Sequence, residues 1–283
     1  MSRIEIKDVT KNFKSVRAVN HVNITLEEGK IYGLLGRNGA GKSTLLNLIN
    51  SRLAADEGSI TMDGESLWEN PKVNGKLYLV NEKNLFPEGR KVSEIFRWTK
   101  EFFPEFDMEY AMHLAELFQL DTRKKTKGLS TGYQSIFKNI VALSTHAPFV
   151  FLDEPVLGLD AYHRDLFYRL LLERYAGEPF TLVISTHLIE EVAGIVEEVI
   201  ILKKGEVLKI ADTEELLNMG YTVSGPASLV DSYTRDKDLA GADMLGGLKT
   251  AYVLGWPEQE LPEGLEFTKM DLQKLFIRLT DEA

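Results

Sequence analysis

The chain contains no cysteine, which removes disulfides, thiolate nucleophiles and cysteine-held metal sites and leaves no dependence on an oxidising compartment. It also lacks any apolar run near the roughly 18–20 residues that cross a bilayer as a helix. Stretches such as residues 199–202 have strand length. Any membrane role must come through a partner. The start, Met1-Ser2-Arg3-Ile4-Glu5-Ile6-Lys7, has no apolar block of the kind a secretory signal requires and reads as a first strand, so a cytosolic setting is expected. Basic residues are in deficit: 33 Lys and Arg stand against 43 Asp and Glu, a net charge of −10. That field opposes binding to a phosphate polymer or an anionic membrane surface, and nucleic acid is not expected as a ligand. No internal repeat or low-complexity segment is visible.

What is present suffices for one substantial core and a smaller second one, since the chain has 283 residues and 44% are hydrophobic, while single domains run about 100–200 residues. Ile31-Tyr32-Gly33-Leu34-Leu35 is an apolar run, and Leu45, Leu46, Leu48 and Ile49 follow at helical spacing, predicting strand, tight turn and helix. Ala111, Leu114, Ala115 and Phe118 mark one helical face, and Ile136, Phe137, Ile140 and Val141 mark another. Residues 149–152 then read as a strand, Leu166, Phe167, Leu170 and Leu171 as a helix, 182–184 as a strand, and Leu188, Val192 and Ile195 as a helix. Strands alternating with helices imply a parallel sheet. Residues 199–202 and 207–210 flank a glycine-bearing hairpin turn, and Asp212 with Glu215 reads as a capping box opening a short helix that Gly220 ends. Beyond Gly220 the texture changes. Glycine and alanine become frequent, 250–254 is strand-like, and 271–279 has helical spacing. A domain boundary near Gly220 is expected.

Gly36-Arg37-Asn38-Gly39-Ala40-Gly41-Lys42-Ser43 matches the phosphate-binding loop pattern, in the strand-to-helix context that the pattern needs. Its glycines let backbone N–H groups curve around phosphates at a positive helix end; Lys42 reaches the outer phosphates and Ser43 offers a hydroxyl to Mg²⁺. Thr44 follows as the next residue of the site. Phe149-Val150-Phe151-Leu152-Asp153-Glu154 places two carboxylates at a strand end, where open parallel sheets gather ligands. Asp153 would hold Mg²⁺ through its water shell, and Glu154 would position and deprotonate water.

With Leu129-Ser130-Thr131-Gly132-Tyr133 in the signature slot ahead of the second motif, the sequence resembles the ABC ATPase family. The resemblance covers about residues 3–218. It implies that Ser130, Thr131 and Gly132 grip the γ-phosphate held by an opposite protomer, that Gly158-Leu159-Asp160 communicates across the dimer, and that His187 in Ser185-Thr186-His187 is the switch histidine, catalytic together with Glu154 and Lys42. Phe13 stands where the family stacks an aromatic on adenine. Two departures stand out. Asn81 occupies the place of a glutamine that coordinates Mg²⁺ and senses the permease, with Glu82 an alternative occupant, and Tyr133 replaces the signature's final glutamine.

The resemblance implies an α/β, phosphate-loop NTPase of the ABC type, with a parallel core sheet, an N-terminal antiparallel β region and a helical subdomain over about 92–143. Residues 1–220 would form the ATPase domain, and 221–283 a small C-terminal α/β domain for dimerisation or regulation. ATP and Mg²⁺ would be its cofactors, an integral-membrane permease its partner, and the cytoplasmic face of the membrane its place. A homodimer would be self-sufficient, with a heterodimer as the alternative. The motif spacing looks most like ATPases of bacterial drug and antimicrobial-peptide exporters, including phenol-soluble-modulin exporters. A soluble ABC ATPase of DNA repair or translation is the rival reading, opposed by the lack of a long coiled-coil insertion, the single cassette and the acidic charge.

Overall fold

A computed structural model describes residues 2–81, 85–87, 89–257 and 262–280. The chain divides into two compact units: Met1–His187 with Leu202–Leu208, and Leu188–Ile201 with Lys209–Ala283.

The first unit begins with β1 (Arg3–Phe13) and β2 (Val16–Glu27), whose alternation buries Ile4 and Ile6 on one strand and Val22, Ile24 and Leu26 on the other. Next come β3 (Ile31–Leu35), α1 (Lys42–Ile49), β4 (Glu57–Met62) and β5 (Glu65–Ser66). The antiparallel sheet β2-β1-β4-β5 is the antiparallel region expected near the N-terminus.

After α2 (Pro71–Asn74) and β6 (Leu77–Val80) the chain becomes helical through α3 (Val92–Phe102), α4 (Met108–Leu117) and α5 (Thr131–Ser144). Then follow β7 (Phe149–Asp153), α6 (Ala161–Gly177) and β8 (Thr181–Ser185). Strands β3, β8, β7 and β6 lie side by side and pair in parallel. Every residue of β3, β7 and β8 is buried, which explains why these strands read as continuous apolar runs rather than alternating ones. Aromatic packing anchors the helical region: Phe137 lies 4.9 Å from Phe86 and 6.1 Å from Phe96, and Phe96 lies 6.0 Å from Phe106, between ring centroids.

The remaining elements are α7 (Ile189–Val192), β9 (Glu198–Lys203), β10 (Glu206–Asp212), α8 (Thr213–Leu217), β11 (Gly220–Pro226), α9 (Ala227–Thr234), β12 (Leu239–Leu245), β13 (Leu248–Leu254), β14 (Glu266–Lys269) and α10 (Leu272–Thr280). In the second unit the antiparallel sheet β12-β13-β11-β14 buries Tyr221, Val223, Ala251 and Val253 together with Val230 of α9.

Two local expectations change. The helix expected over Leu188, Val192 and Ile195 is only the short α7, capped at Ala193 and followed by Gly194, a poor helix former. Gly220 does not end a helix: α8 stops at Leu217 and Gly220 opens β11. A Cβ there would meet the Val253 carbonyl oxygen at 2.3 Å, so glycine is needed for the close approach of β13. Asp212 caps α8 as expected, accepting from the backbone of Glu214 and Glu215 at 2.8 and 3.2 Å.

Phe137 is fully buried. Phe137→Ala is expected to destabilise the protein by about 3–5 kcal/mol, read as a lowered urea midpoint.

Candidate nucleotide site

Strand β3 runs out at Leu35, and the loop that follows is shaped by close backbone approaches. Gly41 has φ +102°, and a Cβ on it would meet the Ala18 carbonyl oxygen at 2.3 Å. Gly39 also has a positive φ. Side chains at these positions would be strained. Lys42, 8% exposed, opens α1 and donates from Nζ to the Gly36 carbonyl at 2.6 Å. Burial pushes its ammonium below the ordinary lysine range, and the charges of Glu154 and then Asp153 partly restore it.

A cavity of about 590 Å³ is lined by Asn38, Gly39, Ala40, Gly41, Lys42, Ser43 and Thr44, by Asp153, Glu154, Leu157 and His187, and by Val16 and Ala18 of β2. Its volume and its convergent polar groups suit a small-molecule site. Parallel register puts Asp153 opposite Ser185, and the Ser185 hydroxyl donates to Asp153 Oδ1 at 3.0 Å. The Glu154 backbone N–H donates to the Ser185 carbonyl at 2.8 Å. Glu154 has φ +50°, a left-handed conformation that carries a penalty for a residue with a Cβ. Its Oε2 accepts from the Thr186 hydroxyl at 3.3 Å and pairs with His187 Nδ1 at 2.8 Å. The carboxylate, the imidazole and Lys42 therefore converge on one cavity.

Among the described residues no cluster of three or more His, Asp and Glu could hold a metal ion. The oxygen donors that could take Mg²⁺ are Ser43 and Asp153, which line the cavity, and Asn81, whose buried Oδ1 has no hydrogen-bond partner. An all-oxygen set with an orphaned acceptor fits a hard cation. Asn81 is not itself a lining residue, and Glu82 falls outside the described residues.

The signature residues lie elsewhere in the same unit. Ser130 caps α5, accepting from the Tyr133 backbone at 3.3 Å, with Thr131 beginning the helix. A Cβ on Gly132 would meet the Gly158 carbonyl oxygen at 2.5 Å, so the signature and the segment before Asp160 are in tight backbone contact. Asp160 caps α6; its Oδ1 accepts from the His163 backbone and meets His163 Nδ1, both at 2.9 Å. The backbone bond first, and then the ring, hold its carboxyl below the usual range. None of Ser130, Thr131, Gly132 and Asp160 lines the cavity. Phe13 is 44% exposed at the end of β1, opposite Val16, with the Lys11 ammonium 5.8 Å from its ring centroid. Phe13, Gly36 and the exposed Arg37 are not lining residues either, although Gly36 holds Lys42.

Sequence reasoning missed Val16, Ala18 and Leu157. The first two sit at i and i+2 of a strand and so share a face, a signal that period-2 reading of β2 could have supplied once one of them was placed.

Gly41→Ala is expected to abolish binding of a fluorescent ATP analogue, because the close approach to Ala18 leaves no room for a methyl group. Since the folded chain holds the Lys42 proton more weakly than the unfolded chain, nucleotide-free stability gains from this group as pH rises through the lowered folded value toward the ordinary 10.5. Lys42→Met is expected to flatten that rise and to raise the melting temperature at neutral pH in the absence of nucleotide, as followed by pH-dependent thermal unfolding of both proteins.

Comparison with known proteins agrees with this geometry. The ABC transporter family model matches residues 19–157. The ABC transporter ATP-binding protein YtrB of Bacillus subtilis (strain 168) is 29% identical over 213 residues, covering 75% of this chain and 73% of that protein. The methionine import ATP-binding protein MetN of Protochlamydia amoebophila is 31% identical over 229 residues, covering 75% and 67% respectively. Among solved structures, a dimeric bacterial ABC transporter cassette matches with a TM-score of 0.67 at 25% identity, covering 74% of this chain and 98% of that one. The ATP-binding subunit of another ABC transporter matches with a TM-score of 0.68 at 21% identity, covering 75% and 91%. Kinship of this extent, over a cassette fold that carries both motifs, means that the chain belongs to the ABC transporter ATP-binding proteins and is an ATPase subunit.

Proposed function

We propose that this ATPase works as a dimer on the cytoplasmic face of the membrane and powers export of a drug, peptide or similar substrate through a separate permease. The observation that carries the catalytic part is the Glu154 carboxylate, held by Thr186 and His187 in the cavity that Lys42 lines. Glu154 is suited to orient and deprotonate the attacking water, His187 to keep that carboxylate in place, and Lys42 with the loop N–H groups to offset phosphate charge. Ser43, Asp153 and Asn81 are the residues that would hold Mg²⁺, which would supply positive charge against the phosphates. Phe13 would stack on adenine from the exposed end of β1.

Dimerisation is supported by the position of Ser130, Thr131, Gly132 and Asp160 outside their own chain's cavity and by the dimeric relative; these residues would serve a partner's nucleotide. A homodimer supplies both halves of each site; a heterodimer with a related chain would do the same. A permease is supported by the kinship and by the finding that no helix among the described residues is long and apolar enough to cross a membrane. Of the aromatic stretch after Val92, Phe96 and Phe106 are core residues, whereas Phe102 is 78% exposed and Trp98 lies beneath Arg90. Docking of a permease segment would use Trp98 and Phe102. The export direction rests on motif spacing, and relatives named for import make it the part most in need of test. Residues 1–220 would carry catalysis, with the helical segment 92–143 facing the permease and 221–283 serving self-association or regulation.

Glu154→Gln is expected to lose about 10²–10⁴-fold in turnover while retaining ATP binding, as measured by phosphate release and analogue titration. The same variant, tagged and purified from membranes with ATP and Mg²⁺, is expected to retain a multi-span permease. Recovery of ribosomes or nucleic acid in its place would overturn the transport reading.

A further inference from the structure

The signature helix α5 is buried over most of its length, and its buried residues include the polar Ser135 at 5% exposure, Lys138 at 7% and Asn139 at 1%, with Ser144 at the far end of the helix. The i, i+3, i+4 spacing of the first three puts them on one face of the helix. Each of these three donates to a main-chain carbonyl of a different segment of the chain from α5. Ser135 Oγ donates to Leu157 at 2.7 Å, Asn139 Nδ2 to Pro155 at 2.8 Å, and Lys138 Nζ to Asn81 at 2.7 Å.

The targets matter more than the count. Pro155 immediately follows Glu154, and Leu157 lines the cavity. Glu154 holds a left-handed backbone directly before a proline, which restricts the residue preceding it still further. Strain of this kind persists only where the surroundings over-determine it. Two of the three bonds fall within three residues of that strained position. The third fixes the backbone of Asn81, whose own Oδ1 is buried without a hydrogen-bond partner. A lysine buried to this degree carries a desolvation penalty that an apolar residue would avoid, so its presence on an otherwise core-facing helix calls for a compensating role.

We propose that Ser135, Lys138 and Asn139 form a polar seam that transmits the position of the signature helix to Glu154 and Asn81, with Lys138 acting as a positioning residue for ATP hydrolysis. The helix is capped by Ser130 and begins at Thr131, the end assigned to the partner's nucleotide. The seam runs from one to three turns further along the same rigid element. Movement of the helix start on closing against a partner would therefore be felt at the general base and at the metal-side amide of the same chain. The proposal rests on the reading of Glu154 as the base.

The test is steady-state hydrolysis by the full chain carrying Lys138→Met, Lys138→Arg, Ser135→Ala or Glu154→Gln, alongside analogue binding and melting temperature. Misplacement of catalytic groups by about an ångström can cost up to about a hundredfold. Lys138→Met is therefore expected to lower kcat by about ten- to a hundredfold, with KM and analogue affinity changed by no more than about threefold. Lys138→Arg keeps a cationic donor and is expected to recover most of kcat. Ser135→Ala, which removes one buried hydroxyl and with it the bond to Leu157, is expected to lower kcat at a temperature well below its slightly lowered melting temperature, and it decides the matter if Lys138→Met fails to fold. Unchanged kcat in both Lys138→Met and Ser135→Ala would overturn the seam. So would a fall in kcat that tracks lost melting temperature equally in the Met and Arg variants. If Glu154→Gln still turns over, the base assignment fails instead, whatever the seam variants do.

Discussion

Parallel pairing of β3, β8 and β7 brings the carboxyl ends of three strands to one edge of the sheet, and the arrangement of the cavity depends on that alignment. The phosphate loop leaves β3, the carboxylates end β7, and Ser185, Thr186 and His187 leave β8. In an open parallel sheet this edge is where a crevice forms. The strands themselves are buried along their full length, so their register is locked by packing on both faces. Shifting β7 by one residue against β8 would separate Asp153 from Ser185 and exchange the faces of every side chain on the strand.

Register alone would still leave the two carboxylates apart, because consecutive residues of a regular strand point to opposite faces. Asp153 and Glu154 nevertheless line the same cavity. The left-handed turn at Glu154 breaks the alternation. Its cost is offset by a dense set of bonds: the Glu154 backbone to Ser185, the side chain to Thr186 and His187, and the following backbone to Asn139 and Ser135. The strain and the constellation that maintains it lie together, as expected where local geometry serves chemistry.

Electrostatically the cavity is a compromise. Two carboxylates stand where a polyphosphate would bind, and the chain as a whole is acidic. Against them are set the Lys42 ammonium and the N-terminus of α1, whose free N–H groups and dipole favour anions. Burial lowers the proton affinity of Lys42 while the neighbouring carboxylates restore part of it. A divalent cation among oxygen donors would relieve the remaining repulsion, and an orphaned amide oxygen at Asn81 is chemically consistent with that.

Much of this was legible before any coordinates. Positive φ at Gly39 and Gly41 is a local backbone demand that only glycine meets cheaply, so the phosphate loop declares itself in eight residues. The apolar runs of β3, β7 and β8 likewise announce buried strands, and their alternation with helices announces a parallel sheet. Other features have no local trace. Val16 and Ala18 belong to the cavity because Gly41 packs against the Ala18 backbone, and Gly220 is a strand residue because β13 passes too close for a Cβ. Ser135, Lys138 and Asn139 look like polar interruptions of a core helix until the carbonyls opposite them are placed. Sequence by itself determined the elements and the motifs, since these follow from short-range periodicity and backbone permissiveness. Only the tertiary structure decided which distant backbone atoms those side chains would meet, because such contacts depend on how whole elements pack rather than on the residues beside them.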